Sequence, residues 1–149
     1  MKLIGSEIGA MGMGIPAGVA AALRFPDRQV FSLVGDGGAL MTGSELATAM
    51  AQNAKVRVIV ANNEHYGTIR YHQELHFPTR DHYATKLVNP DFAKYGESFG
   101  LKCFTIEKIE EIIPKIKEAM KVDGPSLIEF KMSLELNTST TTISQLKVK

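Results

Sequence analysis

Apolar and polar residues follow two different periods along the chain, and the segments with each period alternate. Short apolar runs rich in β-branched residues predict buried strands, four in number: "QVFSLVG", "KVRVIVANN", "LKCFTI" and "PSLIEFKM". Between them lie segments whose apolar residues recur at helical spacing. This alternation predicts an α/β fold, a doubly wound and mostly parallel sheet with helices on both faces.

The helices are predicted from their start and stop signals. Pro16 suits a first helical turn before "AGVAAALRF", and either Thr42 or Ser44 can cap "TGSELATAMAQN" after a glycine-rich loop. Asn89-Pro90 reads as a cap and first position for a helix to about Ser98. A further helix is predicted in "EKIEEIIPKIKEAMK", with a kink at Pro114.

Two segments have no clean period. Residues 64–88 are predicted to form a long functional loop in which "GTIRYHQEL" makes a short helix. Residues 133–149 are rich in hydroxyl side chains, and we expect this tail to be mobile or docked elsewhere. The predicted domain is therefore residues 1–132, followed by a polar tail.

Composition removes several classes of function. A net charge of +1, no cluster of Lys or Arg and no tryptophan argue against nucleic-acid binding. No apolar run is long enough to span a bilayer, and no signal-peptide layout is present, so we expect no membrane partner and a cytoplasmic location. The single cysteine, Cys103, lies in a predicted strand and is expected to be buried and inert.

Polar residues follow two of the predicted strands. Parallel strands end at the same edge of a sheet, so Asp36 and the pair Asn62-Asn63 are expected to converge there. Gly37 and Gly38 leave their amides open to an anion such as phosphate. Because Asp36 would repel phosphate, a bridging Mg²⁺ is predicted, with oxygen ligands from Asp36, Asn63 and the turn after it.

"GDG", the 24 residues 38–61 and "NN" together resemble the thiamine-diphosphate motif, and "GAMGMGIPAGVAAALRFPDRQV" is similar to the matching segment of acetolactate-synthase-like 2-oxoacid enzymes. The likeness extends over residues 5–130, the diphosphate-binding domain of that family. It implies that Mg²⁺ is bound by Asp36, Asn63 and the carbonyl of His65. The implied cofactor-binding residues are Gly9, Met11, Gly35, Asp36, Gly37, Gly38, Asn63 and His65.

The resemblance also implies a role for Met11, a wedge that bends the cofactor. From composition alone Met11 reads as an ordinary core methionine. The family's catalytic glutamate belongs to a pyrimidine-binding domain or subunit, and neither Glu7 nor Glu45 matches it. The family also has a strand-helix unit before the position of Gly5. We therefore expect a chain that is inactive alone and part of a larger enzyme, a homo-oligomer (dimer or tetramer) in which FAD is an open question.

Four histidines lie in the polar segment, at positions 65, 72, 76 and 82, without cysteine partners or metal-ligand spacing. His72 stands where branched-chain synthases of the family carry tryptophan, which puts that substrate choice in doubt. Tyr66 and His72 are candidate substrate-channel residues, and Arg70 and Gln73 belong to the same group without an assigned role.

The predicted function is thiamine diphosphate and Mg²⁺ binding in an acetolactate-synthase-like enzyme, a transferase or lyase that decarboxylates and joins 2-oxoacids. One alternative is the diphosphate-binding part of a 2-oxoacid decarboxylase or oxidase. An alternative of another class is a non-catalytic nucleotide-binding or scaffold module. The chain has neither a P-loop motif nor a convincing dinucleotide-binding fingerprint, which disfavours nucleotide binding.

Overall fold

A computed structural model of the protein describes residue 5, residues 9–135 and residues 141–146. Four parallel strands form one sheet in the order β1-β2-β4-β3, and they are β1 (Val30–Gly35), β2 (Val56–Asn62), β3 (Lys102–Ile106) and β4 (Ser126–Lys131). All four coincide with the predicted apolar runs to within one or two residues. The parallel α/β fold predicted from the sequence is confirmed.

Seven α-helices are assigned in the described residues: α1 (Gly14–Arg24), α2 (Asp36–Thr42), α3 (Glu45–Ala51), α4 (Gly67–His76), α5 (Phe92–Ser98), α6 (Ile112–Met120) and α7 (Ile143–Leu146). Apolar residues of α1, α3 and α5 pack with Val56, Val58 and Val60 of β2 in the larger core. A smaller core on the other face joins α6 to Ile106 and Ile128. Helices therefore cover both faces of the sheet. None of the helices in the described ranges is long and apolar enough to cross a membrane.

The glycine-rich segment after β1 is helical, whereas the sequence predicted a loop. Helix α2 begins at Asp36 itself, and the Gly37 amide donates to Asp36 Oδ1 at 2.8 Å. A Cβ at Gly38 would lie 3.0 Å from Val34 Cγ2, so glycine lets the helix pack closely against β1. Thr42 caps no helix, because its hydroxyl donates to the Gly12 carbonyl at 2.7 Å.

The predicted cap of α5 is also wrong. Asp91 occupies the N-cap position, and its Oδ1 accepts a hydrogen bond from the Lys94 amide at 3.0 Å. The helix starts at Phe92, so Asn89 lies two residues before the cap and outside the helix. The Asn89 side chain is therefore available for other contacts.

Pro114 does not kink a helix. A 3₁₀ turn spans Ile109–Glu111, and α6 then begins at Ile112, so Pro114 lies in the first turn of α6. Its missing amide needs no partner there. Ile112 and Ile116 pack on the smaller core, whereas Ile109 and Ile113 are exposed.

Strand β1 is not buried on both faces as predicted. It lies at one edge of the sheet, and one side of the strand faces the larger core, with Ser32 and Val34 buried and Val30 half-buried. Phe31 and Leu33 point away from the core, and Leu33 is 74% exposed. Within the described residues no strand or helix covers that side of β1, which explains the difference.

Part of the polar tail is docked. Helix α7 packs against α4, with Ile143 and Leu146 buried. Residues 136–140 and 147–149 of the predicted tail lie outside the described residues.

Candidate functional site

A cleft opens at the carboxyl edge of β1 and β2. Gly35 pairs with Ala61 in the register of the two strands, so Asp36 and Asn62 emerge side by side. The cleft has a volume of about 440 Å³, which suits a small ligand. Its lining includes eight residues named from the sequence: Gly9, Met11, Gly35, Asp36, Gly37, Gly38, His65 and Tyr66.

Asp36 is a buried carboxylate held only by neutral donors. Its side chain is 2% exposed, Oδ1 accepts from the Gly37 amide, and Oδ2 accepts from Asn89 Nδ2 at 2.8 Å. No Lys or Arg of the described chain forms an ion pair with it. A buried carboxylate without a counter-charge is costly, and a bound cation would offset that cost.

Asn63 and His65 form a tight turn after β2. His65 lines the cleft together with Asp36, whereas Asn63 lines a separate, smaller pocket. Asn63 Oδ1 accepts from the His65 amide at 3.1 Å, and the His65 ring nitrogen Nδ1 lies 3.2 Å from the Asn63 carbonyl oxygen. Arg70 Nη1 lies 2.9 Å from His65 Nε2. Because a guanidinium only donates, Nε2 accepts, so Nδ1 carries the proton and donates to Asn63.

The charge state of His65 agrees with this assignment. Burial lowers the pKa of His65, and the positive charge of Arg70 lowers it further, against the opposing hydrogen bond to Asn63. The ring therefore stays neutral and locks the turn that carries Asn63.

Arg70 does not line the cleft and supports the site through its contact with His65. It is buried, and its Nε lies 3.5 Å from Oε1 of the buried Glu74. Gln73 holds the following loop, because its amide group exchanges two hydrogen bonds of 3.0 Å with the backbone of Tyr83. These two candidate channel residues have structural partners instead.

Met11 lies in the cleft and not in the core. It is 50% exposed, so the reading as an ordinary core methionine is wrong. A Cβ at Gly37 would lie 3.3 Å from Met11 Cε and 2.5 Å from the Tyr66 ring. Gly37 therefore sits in a narrow space between two side chains that a larger residue would fill.

His72 and His76 are exposed on α4 and do not line the cleft. Their rings stack with centroids 5.8 Å apart. Across the residues that the structure describes, no three His, Cys, Asp or Glu side chains come together to hold a metal ion. Of the two glutamates considered from the sequence, Glu45 begins α3 and accepts from Thr48, and Glu7 lies outside the described residues.

Cys103 takes no part in the cleft. It lies in β3 against α5, where a Cβ at Gly96 would lie 2.6 Å from its sulfur. Burial raises the pKa of the Cys103 thiol to about 12, so the thiolate is scarce at neutral pH. The expectation of an inert thiol agrees with these surroundings.

Sequence reasoning missed the side chains behind Asp36. The sequence predicts Asn89 as a helix cap and does not single out Glu129 within the strand "PSLIEFKM". Glu129 is completely buried and accepts from Asn62 Nδ2 at 2.7 Å. A charged residue inside a central strand was the available signal, since such residues are rarely buried without partners.

The comparisons with known proteins agree with this cleft. Residues 3–130 match the family described as thiamine pyrophosphate enzyme, C-terminal TPP binding domain. The chain belongs to this family. The cleft therefore lies in a thiamine pyrophosphate-binding domain, and the resemblance predicted from "GDG" and "NN" is confirmed.

Relatives of this thiamine pyrophosphate-binding domain catalyse different reactions. The mitochondrial acetolactate synthase of Schizosaccharomyces pombe is 35% identical over 82% of the chain, and the 3D-(3,5/4)-trihydroxycyclohexane-1,2-dione hydrolase of Bacillus licheniformis is 37% identical over 82%. A solved structure, the thiamine diphosphate-dependent 4-hydroxybenzoylformate decarboxylase of Rhodococcus jostii RHA1, superposes with a TM-score of 0.79 at 32% identity over 85% of the chain. The chain spans 18%, 20% and 24% of these three proteins.

Proposed function

We propose that this domain binds thiamine diphosphate together with Mg²⁺ and serves an acetolactate-synthase-like enzyme that decarboxylates and joins 2-oxoacids. The observation that carries the metal is Asp36, a carboxylate that is 2% exposed and held by neutral donors only. Side-chain oxygen donors at the edge of the cleft suit Mg²⁺, which takes one or two ligands from the protein and fills its remaining positions with phosphate and water.

Three groups of this chain would hold the metal: the Asp36 carboxylate, the Asn63 side-chain oxygen and the His65 carbonyl. Backbone at Gly35, Gly37 and Gly38 would meet the diphosphate, and Gly9 and Met11 would meet the pyrimidine ring. The Gly37 amide now donates to Asp36 Oδ1, so a diphosphate that accepted from this amide would release one carboxylate oxygen for the metal. Neutral His65 keeps the Asn63 turn in place.

Thiamine diphosphate supplies a carbon nucleophile for carbonyl substrates, and the protein aligns it. The acidic group that activates the cofactor's pyrimidine ring would come from a pyrimidine-binding domain or subunit, in a homo-oligomer. Tyr66 lines the cleft beside Gly37 and is the candidate for substrate contact from this chain. A substrate contact by His72 stays a prediction about the assembled enzyme. The use of FAD by that enzyme is likewise a prediction.

Calorimetric titration of thiamine diphosphate into the chain, with and without Mg²⁺, tests the proposal. We expect saturable binding that requires Mg²⁺ and is lost in Asp36→Ala, because the variant lacks the carboxylate that joins metal to protein. Asp123→Ala is the matched control, since it removes an exposed aspartate paired only with Lys55. Binding without Mg²⁺, or equal loss in both variants, would contradict the proposal.

A second candidate, a 2-oxoacid decarboxylase, is favoured by the similarity to the 4-hydroxybenzoylformate decarboxylase. Product analysis of the complete enzyme with pyruvate separates the two, because carboligation yields acetolactate and simple decarboxylation yields an aldehyde. Titration with ADP separates both from a nucleotide-binding module, which would take ADP and ignore thiamine diphosphate.

A further inference from the structure

A chain of hydrogen-bonded side chains runs from Asp36 into the middle of the sheet. Asn89 Nδ2 donates to Asp36 Oδ2 and to Asn62 Oδ1, both at 2.8 Å. Asn62 Nδ2 then donates to Glu129 Oε1 at 2.7 Å. The proposed function uses only Asp36 from this hydrogen-bond network, so the other members of the network have no assigned role.

The two carboxylates at the ends of this hydrogen-bond network fix the direction of every hydrogen bond in it. Asp36 and Glu129 are carboxylates, which only accept when ionised. Lys131 Nζ donates to Glu129 Oε1 at 2.7 Å, so this oxygen acts as an acceptor. Asn62 must therefore turn its NH₂ group to Glu129 and its oxygen to Asn89, where that oxygen also accepts from the Glu64 amide at 3.1 Å.

This orientation of Asn62 allows only one orientation of the Asn89 side-chain amide. With the Asn62 oxygen facing it, Asn89 places its NH₂ group between two acceptors, and both amide hydrogens are used. Pro90 restricts the backbone of Asn89, so the side chain is presented from a stiff segment. Asp36 consequently has one donor on each carboxylate oxygen, and the plane of the carboxylate is held from both sides.

We propose that Asn89 is a positioning residue that orients the Asp36 carboxylate for Mg²⁺, and that Asn62 and Glu129 keep the Asn89 amide in its donating orientation. The inference rests on the proposed function. Side chains that hydrogen-bond to a metal ligand typically change metal affinity by about 10- to 100-fold when they are replaced. Asn89 is expected to act on the metal in this way and not on the diphosphate.

The test is calorimetric titration of the chain with Mg²⁺ in the presence of a fixed excess of thiamine diphosphate. In Asn89→Leu, which keeps the volume and loses the donor, we expect the Kd for Mg²⁺ to rise by about 10- to 100-fold. The Kd for thiamine diphosphate at saturating Mg²⁺ should stay as in the wild type. A general loss of structure would raise both constants, so the split between them identifies positioning.

The matched control is Asp91→Ala, which removes the cap of α5 two residues away and should lower the melting temperature without changing the Kd for Mg²⁺. Asn89→Ala is the second variant if Asn89→Leu does not fold, and its Kd should lie between those of wild type and Asn89→Leu because water can enter the gap. An unchanged Kd in the Asn89 variants, or equal weakening in Asp91→Ala, would overturn the inference alone. Absence of Mg²⁺-dependent binding by the wild type would overturn the proposed function, and the inference with it.

Discussion

Arg70 shows how a single buried charge supports the candidate metal site from outside it. Its guanidinium joins the neutral ring of His65 to the carboxylate of Glu74, and all three side chains are buried. The ring of His65 in turn holds the carbonyl of Asn63. Residues that never meet the ligand therefore determine where a candidate ligand residue lies.

Replacing Arg70 with methionine is expected to lower the free energy of unfolding by about 3 kcal/mol, because the buried Glu74 carboxylate loses its cationic partner. Urea unfolding measures the change. Adding Glu74→Gln should recover part of the loss, because the buried carboxylate that loses Arg70, and keeps His82 at 3.6 Å, is then replaced by a neutral group. Arg24→Met is the control, because Arg24 is exposed at the end of α1. Equal destabilisation by both Arg variants would show that burial of Arg70 does not matter.

The 3₁₀ turn before α6 depends on one carboxylate. Glu111 accepts from the amides of Glu107 and Lys108 and pairs with Lys115 at 2.9 Å. The pKa of Glu111 is lowered from its ordinary value of 4.5 to about 2. The hydrogen bond from the Glu107 amide is the largest cause, and the contact with Lys115 is the next. The ionised form therefore stabilises the folded chain.

That contribution is complete above pH 4.5 and is lost as the pH falls towards 2, because the unfolded chain takes up the proton first. We expect Glu111→Gln to unfold more easily at neutral pH and to lose less stability than the wild type between pH 4.5 and 2. Thermal unfolding across this range measures both effects. Glu118→Gln, which removes an exposed carboxylate from α6, is the control, and an equal change in both variants would refute the assignment.

The pattern and period of apolar residues predicted which segments form strands and helices. They did not predict which polar side chain caps a helix and which one bonds elsewhere. Asn89 and Asp91 are both good caps, and the sequence cannot rank them. What separates them is the pair of partners of Asn89, Asp36 and Asn62, which lie 53 and 27 residues away. Pro114 fits a kink and a first turn equally well by local rules. The convergence of Asp36 and Asn62 was easier to predict, because parallel strands carry their ends to one edge of the sheet.

Within the described residues, the apolar side of β1 that carries Phe31 and Leu33 is uncovered. The outer edge of β1 exposes Leu33, and an uncovered strand edge with apolar residues favours pairing with another chain. We expect the wild-type chain to associate with itself at high concentration and Leu33→Lys to reduce this association, as seen in sedimentation velocity. Val88→Lys is the control, since Val88 is 95% exposed but lies in the loop before α5. Equal effects of the two lysines would place the contact elsewhere.

The hydrogen bond between Asn62 and Glu129 has a consequence for the order of folding. It joins residues 67 positions apart on the two central strands, β2 and β4. Closing so long a loop costs entropy before any contact repays it, and such pairings make folding slow. The orientation of Asn89, and with it that of Asp36, cannot be set until β2 and β4 have paired. If Asn89 positions Asp36 as proposed, a chain that binds thiamine diphosphate has already paired β2 with β4, and cofactor binding reports that pairing.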